Sequence, residues 1–68
     1  MRIMLLEGSI MMKRRDLINK FLKNGWYFLR EGSDHTIYTN GIERESISRQ
    51  NEINEILAKR IIKRRGLK

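Results

Sequence analysis

Glycine placement does most to limit what this chain can fold into. Gly25, Gly32, Gly41 and Gly66 break the chain into segments of different periodicity. In the first, Arg14 to Asn24, the apolar residues Leu17, Ile18, Phe21 and Leu22 fall at i, i+1, i+4 and i+5. That spacing makes one stripe of an amphipathic helix, with Asp16, Lys20 and Lys23 opposite and Gly25 as its stop. Trp26 to Glu31 is aromatic-rich and His35 to Thr39 is β-branched and aromatic, so both read as strands joined by a Gly32-Ser33-Asp34 turn. Asn40-Gly41 is a strong two-residue type I′ hairpin signal, and it returns the chain as a third strand over Ile42 to Ile47. Glu43, Arg44 and Glu45 suit an edge strand, where charge discourages further pairing.

The last segment reads as a second helix. Asn51 is the expected N-cap, with Glu52 and Glu55 near the positive end of the dipole. Ile53, Ile56, Leu57, Ile61 and Ile62 supply the apolar stripe, and Lys63-Arg64-Arg65 suit the negative end. Gly66 ends the helix and Leu67 is placed to pack back on it. The expected fold is α+β, in the order α-β-β-β-α. A three-stranded antiparallel sheet carries both helices on one face, the arrangement that gives a chain of this kind one core.

The two turns also predict a register. Asn40-Gly41 pairs Thr39 with Ile42, Ile37 with Arg44 and His35 with Ser46; the Gly32–Asp34 turn pairs Glu31 with His35 and Leu29 with Ile37. Leu29, Ile37 and Ile42 then share the face expected to meet the helices, and Trp26, Phe28, Thr36 and Tyr38 share the other.

Composition removes whole classes of function. With 68 residues, no cysteine and one histidine, the chain has no means of forming disulfides, Cys-ligated metal sites or a multi-histidine centre. A single small core leaves no room for a cofactor crevice, so no cofactor is expected. No apolar run approaches the ~20 residues of a membrane span. Met1 to Glu7 is too short and wrongly composed for a signal peptide, so a cytoplasmic protein is expected. Residues 1–11 differ from the rest, with methionines at 1, 4, 11 and 12 and a Glu7-Gly8-Ser9 break. Glu-Gly can be encoded by a ribosome-binding-site-like GAG-GGA, which makes Met11 or Met12 a candidate start and 12–68 the expected domain.

Fifteen Lys and Arg against eight Asp and Glu give a net charge of +7. A polyanionic partner follows, nucleic acid first and an anionic membrane second. On the second helix Lys59, Arg60, Lys63 and Arg64 fall within an arc of about 140° with no acid among them. Phosphate contact and plain solvation account equally well for that arc. Arg44 and Arg49 are further candidate contacts. Trp26, Tyr27, Phe28 and Tyr38 have faces able to stack bases, though core or partner packing is the commoner use. His35 is the one side chain that titrates near neutrality unaided; taken alone, an incidental surface histidine is the commoner case.

Several of these segments together resemble the HicA toxins. Lys13-Arg-Arg-Asp-Leu-Ile-Asn-Lys-Phe-Leu-Lys-Asn-Gly-Trp26 is similar to their opening helix and Gly-Trp. Gly32-Ser33-Asp34-His35-Thr-Ile-Tyr38 is similar to their Gly-Ser-x-His motif. Asn51-Glu52-Ile53 and Ile61-Ile62-Lys63-Arg64-Arg65-Gly66-Leu67 are similar to their last helix and its Gly-Leu ending. The resemblance runs from Met12 to Leu67. Two positions depart from it: Asp34 stands where members often have a second histidine, and Ser48-Arg49-Gln50 where they have a basic segment with His or Pro.

The resemblance implies a fold similar to double-stranded RNA-binding domains. It implies an mRNA interferase, a toxin that cleaves mRNA, arrests translation and is neutralised by a HicB-like antitoxin. It makes His35 the catalytic residue and Gly32 and Ser33 its supporting turn. RNA carries its own nucleophile in the 2′-OH. One positioned histidine and nearby cations therefore suffice for cleavage, and no metal is expected. The alternative is a non-catalytic module of the double-stranded-RNA-binding type.

Overall fold

The computed structural model describes residues 11–68. The elements are β1 (Met11–Lys13), α1 (Arg14–Lys23), β2 (Tyr27–Glu31), β3 (His35–Thr39), β4 (Arg44–Ser48), β5 (Glu52–Asn54) and α2 (Glu55–Arg65). Strands β2-β3-β4 form an antiparallel sheet in that order, and β1 and β5 form a separate two-stranded ribbon. The expected α+β fold is therefore present, with the ribbon added. The leader expected over residues 1–11 lies outside the described residues except for Met11, which pairs with Asn54 in the ribbon.

Both helices stop as their sequences dictate. After α1, Trp26 N–H donates to Phe21 O at 3.0 Å and Gly25 N–H to Leu22 O at 3.2 Å. After α2, Leu67 N–H donates to Ile62 O at 2.9 Å and Gly66 N–H to Lys63 O at 3.2 Å. Each is a Schellman motif, with the glycine at positive φ and the next residue driven inward. Trp26 and Leu67 are accordingly buried, in one cluster with Leu17, Ile18 and Phe21 of α1, Ala58 and Ile61 of α2, and Tyr38, Ile47 and Ile53. Phe21 and Trp26 pack edge to face, with ring centres 4.9 Å apart.

The start of α2 differs from expectation. Asn51 is not its N-cap; residues 52–54 are drawn into the ribbon by β1, and the helix begins three residues later. Asn54 caps it, its Oδ1 accepting from the backbone N–H of Ile56 at 2.8 Å and Leu57 at 3.3 Å. The buried stripe is correspondingly rotated onto Ala58 and Ile61, leaving Ile56 57% and Leu57 50% exposed. Arg65 falls within that stripe, and its side chain is only 16% exposed. It bonds Glu45 at 2.7 Å, Glu43 at 3.0 Å and the Arg44 carbonyl at 3.0 Å. Its guanidinium carbon also lies 5.4 Å from the Trp26 ring centre, a cation–π contact.

The sheet corrects the predicted register and its faces. In β3–β4, Thr39 pairs with Arg44, Ile37 with Ser46 and His35 with Ser48, two residues beyond the expected partners. A type I′ turn needs positive φ at both central residues, and Asn40 does not adopt it. Asn40 instead accepts from Ile42 N–H at 2.8 Å and Glu43 N–H at 2.7 Å through its side chain, so the loop runs longer and β4 starts at Arg44.

In β2–β3, Phe28 pairs with Tyr38 and Arg30 with Ile37, so a bulge at Leu29 displaces both expected pairs. The faces are also reversed. Tyr38 and Ile47 belong to the core cluster, so the helices cover the face of Thr36 and Tyr38 rather than that of Ile37. The aromatic side chains bury the larger area and take the core face. Ile42 is left 89% exposed in the loop.

Candidate functional site

His35 is the first residue of β3 and is exposed. The turn before it is closed by Gly32 N–H donating to His35 O at 2.7 Å. A Cβ on Gly32 would sit 3.1 Å from that same oxygen, so any larger residue presses on the turn. Arg49 holds the turn from the other side. Its Nη1 donates to Ser33 O at 2.9 Å, and its Nη2 donates to Gly32 O and, at 3.3 Å, to His35 O. Its Nε donates to Glu31 Oε1 at 3.0 Å.

A polar network continues inward from Glu31. The buried Thr36 hydroxyl donates to Glu31 Oε1 at 3.1 Å and accepts from Arg14 Nη2 at 2.8 Å. Arg14 Nε donates to Ser48 O at 2.7 Å, opposite His35 in the sheet. The Arg49 hydrogen bond holds the Glu31 carboxyl below the usual carboxylate range; desolvation opposes it, and the Thr36 hydrogen bond and the charges of Arg49 and Arg14 add to the lowering. The fold thus fixes the backbone of His35 from three elements while leaving its ring at the surface.

Beside this turn lies a groove of about 140 Å³ between β4 and α2. Leu17, Ile53, Leu57 and Ile61 give it apolar walls, and His35 and Arg64 line it as well. Arg64 Nη2 lies 3.1 and 3.0 Å from the two carboxylate oxygens of Glu45, which sets the orientation of its guanidinium.

The other sequence-derived candidates fall in three groups. Lys59 pairs with Glu55 at 3.4 Å, an exposed i, i+4 contact of little strength. Arg60, Lys63 and Arg44 are exposed, with no ion-pair partner among the described residues. Arg49, expected as a phosphate contact, has its guanidinium on Glu31 and the turn carbonyls. The sequence reading omitted Arg14, Glu31 and Thr36 from the site.

The reading also passed over an open cavity of about 400 Å³ lined by Lys13, Arg14, Arg15, Asn51 and Glu52, although three consecutive cations signal it. Of the aromatic residues, Trp26 and Tyr38 are core, and Tyr27 and Phe28 are half exposed. Among the described residues no three His, Cys, Asp or Glu side chains converge as a metal site would require. No described helix is long and apolar enough to cross a membrane.

An exposed imidazole on a braced turn can take up or release a proton. A guanidinium lining the same groove can neutralise charge developing on a phosphodiester. Comparison of the chain with protein families, with characterised proteins and with solved structures finds no match.

Proposed function

We propose that this chain is a histidine-dependent endoribonuclease of the HicA toxin type, acting on mRNA in the cytoplasm and held inactive by a HicB-like antitoxin. The single observation that carries the reading is His35 itself: an exposed imidazole on a turn braced by Arg49, lining one groove with Arg64. The Gly-Ser-x-His resemblance of residues 32–35 supports the same assignment. In this reading the 2′-OH attacks the adjacent phosphate and the P–O5′ bond breaks, leaving a 2′,3′-cyclic phosphate and a 5′-OH; His35 either takes the 2′-OH proton or gives one to the 5′-oxygen, and solvent handles the other. Arg64 stabilises the crowded phosphorane, and Arg60, Lys63, Lys59 and Arg44 hold the flanking backbone. Gly32 and Ser33 give the turn its shape, and no metal or cofactor takes part.

The basic cavity at Lys13–Arg15 favours a second reading, a non-catalytic RNA-binding module, since it supplies cations that need no histidine. Purified His35→Ala protein separates the two. The toxin reading expects RNA cleavage and growth arrest to disappear while RNA affinity stays. The binding-module reading expects no cleavage by wild type or variant, and equal RNA affinity in both.

A further inference from the structure

We propose that the groove between β4 and α2 is a pocket for one unpaired RNA base, so that the chain engages its substrate at single-stranded positions. The proposal rests on the RNA reading above and adds to it the form of RNA that the site accepts. The volume, about 140 Å³, sets the scale. It is well below the ~300–1,000 Å³ of pockets that take drug-sized ligands, and suits one planar ring rather than a whole nucleotide.

The walls have the chemistry that a ring needs. Leu57 is half exposed and offers apolar contact to a ring face, over a floor formed by the buried Leu17, Ile53 and Ile61. Arg64 offers a flat guanidinium for stacking, and Glu45 holds that guanidinium through both carboxylate oxygens. β4 is an edge strand, so backbone groups along its outer side have no neighbouring strand and can meet the polar edge of a base. Charge completes the fit. On α2, Leu57, Arg64 and Arg60 follow one another within about 60° around the axis, so Arg60, which has no ion-pair partner among the described residues, adjoins the apolar wall. A base in the groove would have its own phosphate beside that cation and near His35. A base paired in a duplex cannot enter without leaving its stack.

The test uses 2′-O-methyl oligonucleotides, which cannot be cleaved through their 2′ oxygen, as single strands and as duplexes of equal length. Affinity is measured by fluorescence anisotropy for wild type, for Leu57→Trp, which fills the groove, and for Ile56→Trp, an equally exposed control on another side of α2. Wild type and the control are expected to prefer the single strand by about tenfold, the scale of one stacked base. Leu57→Trp is expected to lose that preference while keeping its duplex affinity, salt dependence and melting temperature.

Undiminished preference in Leu57→Trp overturns the pocket, as does equal or tighter binding of duplex by wild type. Loss of antitoxin binding in Leu57→Trp with single-strand preference intact also overturns it, and makes the groove a protein-docking site. Should Leu57→Trp unfold, Leu57→Ser is the substitute, expected to weaken single-strand binding alone; unchanged single-strand binding overturns the pocket. No binding of either RNA by wild type overturns the RNA reading as well, which sets that failure apart from failure of the pocket.

Discussion

Arg49 Nη2 bonds the carbonyl oxygen of His35 at 3.3 Å, joining the segment after β4 to the first residue of β3. The same guanidinium engages Gly32, Ser33 and Glu31, so one side chain fixes most of the turn that presents the histidine. Its removal leaves the His35 carbonyl with the Gly32 N–H alone and loosens the turn without touching the ring.

Arg49→Ala is therefore expected to act on rate more than on stability. Arg49 is partly solvated, so the cost is about 1 kcal/mol, a fall of about 4–8 °C in Tm for so small a domain. On the enzymatic reading, ribonuclease activity should drop by about tenfold to a hundredfold, because a small displacement of a catalytic group is costly. Lysine keeps the charge but not the fork, so Arg49→Lys should resemble Ala. The pH–rate profile should keep its wild-type shape, since the histidine is misplaced and not replaced. Rates and melting curves for the two variants check this.

Glu31 ties the acid stability of the site to pH. Its folded carboxyl titrates below its unfolded value because Arg49 and Thr36 bond the ionised form. The resulting stabilisation is fully present above about pH 4.3, the ordinary value for glutamate, and is lost as pH falls through the lower folded value. Wild type is expected to exceed Glu31→Gln in Tm by a constant margin at neutral pH. The margin should narrow only in the acid range. A margin unchanged at pH 3 would show that the carboxylate charge contributes nothing.

Arg60 and Lys63 are exposed cations with no ion-pair partner among the described residues. On the RNA reading, they and Lys59 and Arg44 would make about four phosphate contacts, so log K should fall against log salt with a slope near −3 for single-stranded RNA, at about −0.7 per contact. Reversing Arg60 and Lys63 to Glu should flatten that slope by at least about 1.4 units and leave melting unchanged. Both side chains are exposed, away from Ala58 and Ile61. Anisotropy titrations between low and moderate salt provide the measurement.

Glu45 links the two helix-terminal arginines to the sheet. Its side chain is only 10% exposed, and it accepts from Arg65 Nε at 2.7 Å and Arg64 Nη2 at 3.0 Å. Glu45→Gln leaves the largely buried Arg65 with Glu43 as its remaining carboxylate. The expected cost is about 1.5–3 kcal/mol, visible in urea unfolding, with a shift in Trp26 fluorescence because Arg65 lies over that ring.

The two helix ends were legible because Schellman stops are local: Gly25 and Gly66 with Trp26 and Leu67 carry all that those motifs require. The β1–β5 ribbon was not legible. Each strand is three residues, and Met12 pairs with Ile53 across the whole of α1 and the three-stranded sheet in sequence. The Leu29 bulge and the Asn40 side-chain cap likewise set a register that hydrophobic alternation does not encode. His35 and Gly32 could be singled out from sequence as a turn and a titratable group. Arg49's brace could not, because it bonds mainly backbone carbonyls, which every residue presents. Arg65 appeared to be one more terminal cation, and only packing against Trp26 and Glu45 reveals it as part of the core boundary.

His35→Ala is the variant on which the enzymatic reading stands. The ring is exposed, so its loss should change stability by no more than about 0.5 kcal/mol. The turn should persist, because Gly32 N–H and Arg49 bond the backbone oxygen of residue 35, which alanine retains. RNA affinity should also persist, since the cations of α2 are untouched. What disappears is proton transfer in the transition state, an effect of about 10²–10⁴ in rate. The purified variant should therefore melt with wild type, bind uncleavable RNA with the same salt slope, and release no fragments from ordinary RNA over the time wild type needs for complete cleavage. Cells expressing it should grow normally where wild type arrests them. Wild-type cleavage rates from contaminant-free His35→Ala would remove the histidine from the chemistry, and absence of cleavage by wild type as well would leave the Lys13–Arg15 cavity and the α2 cations as the parts of a binding module.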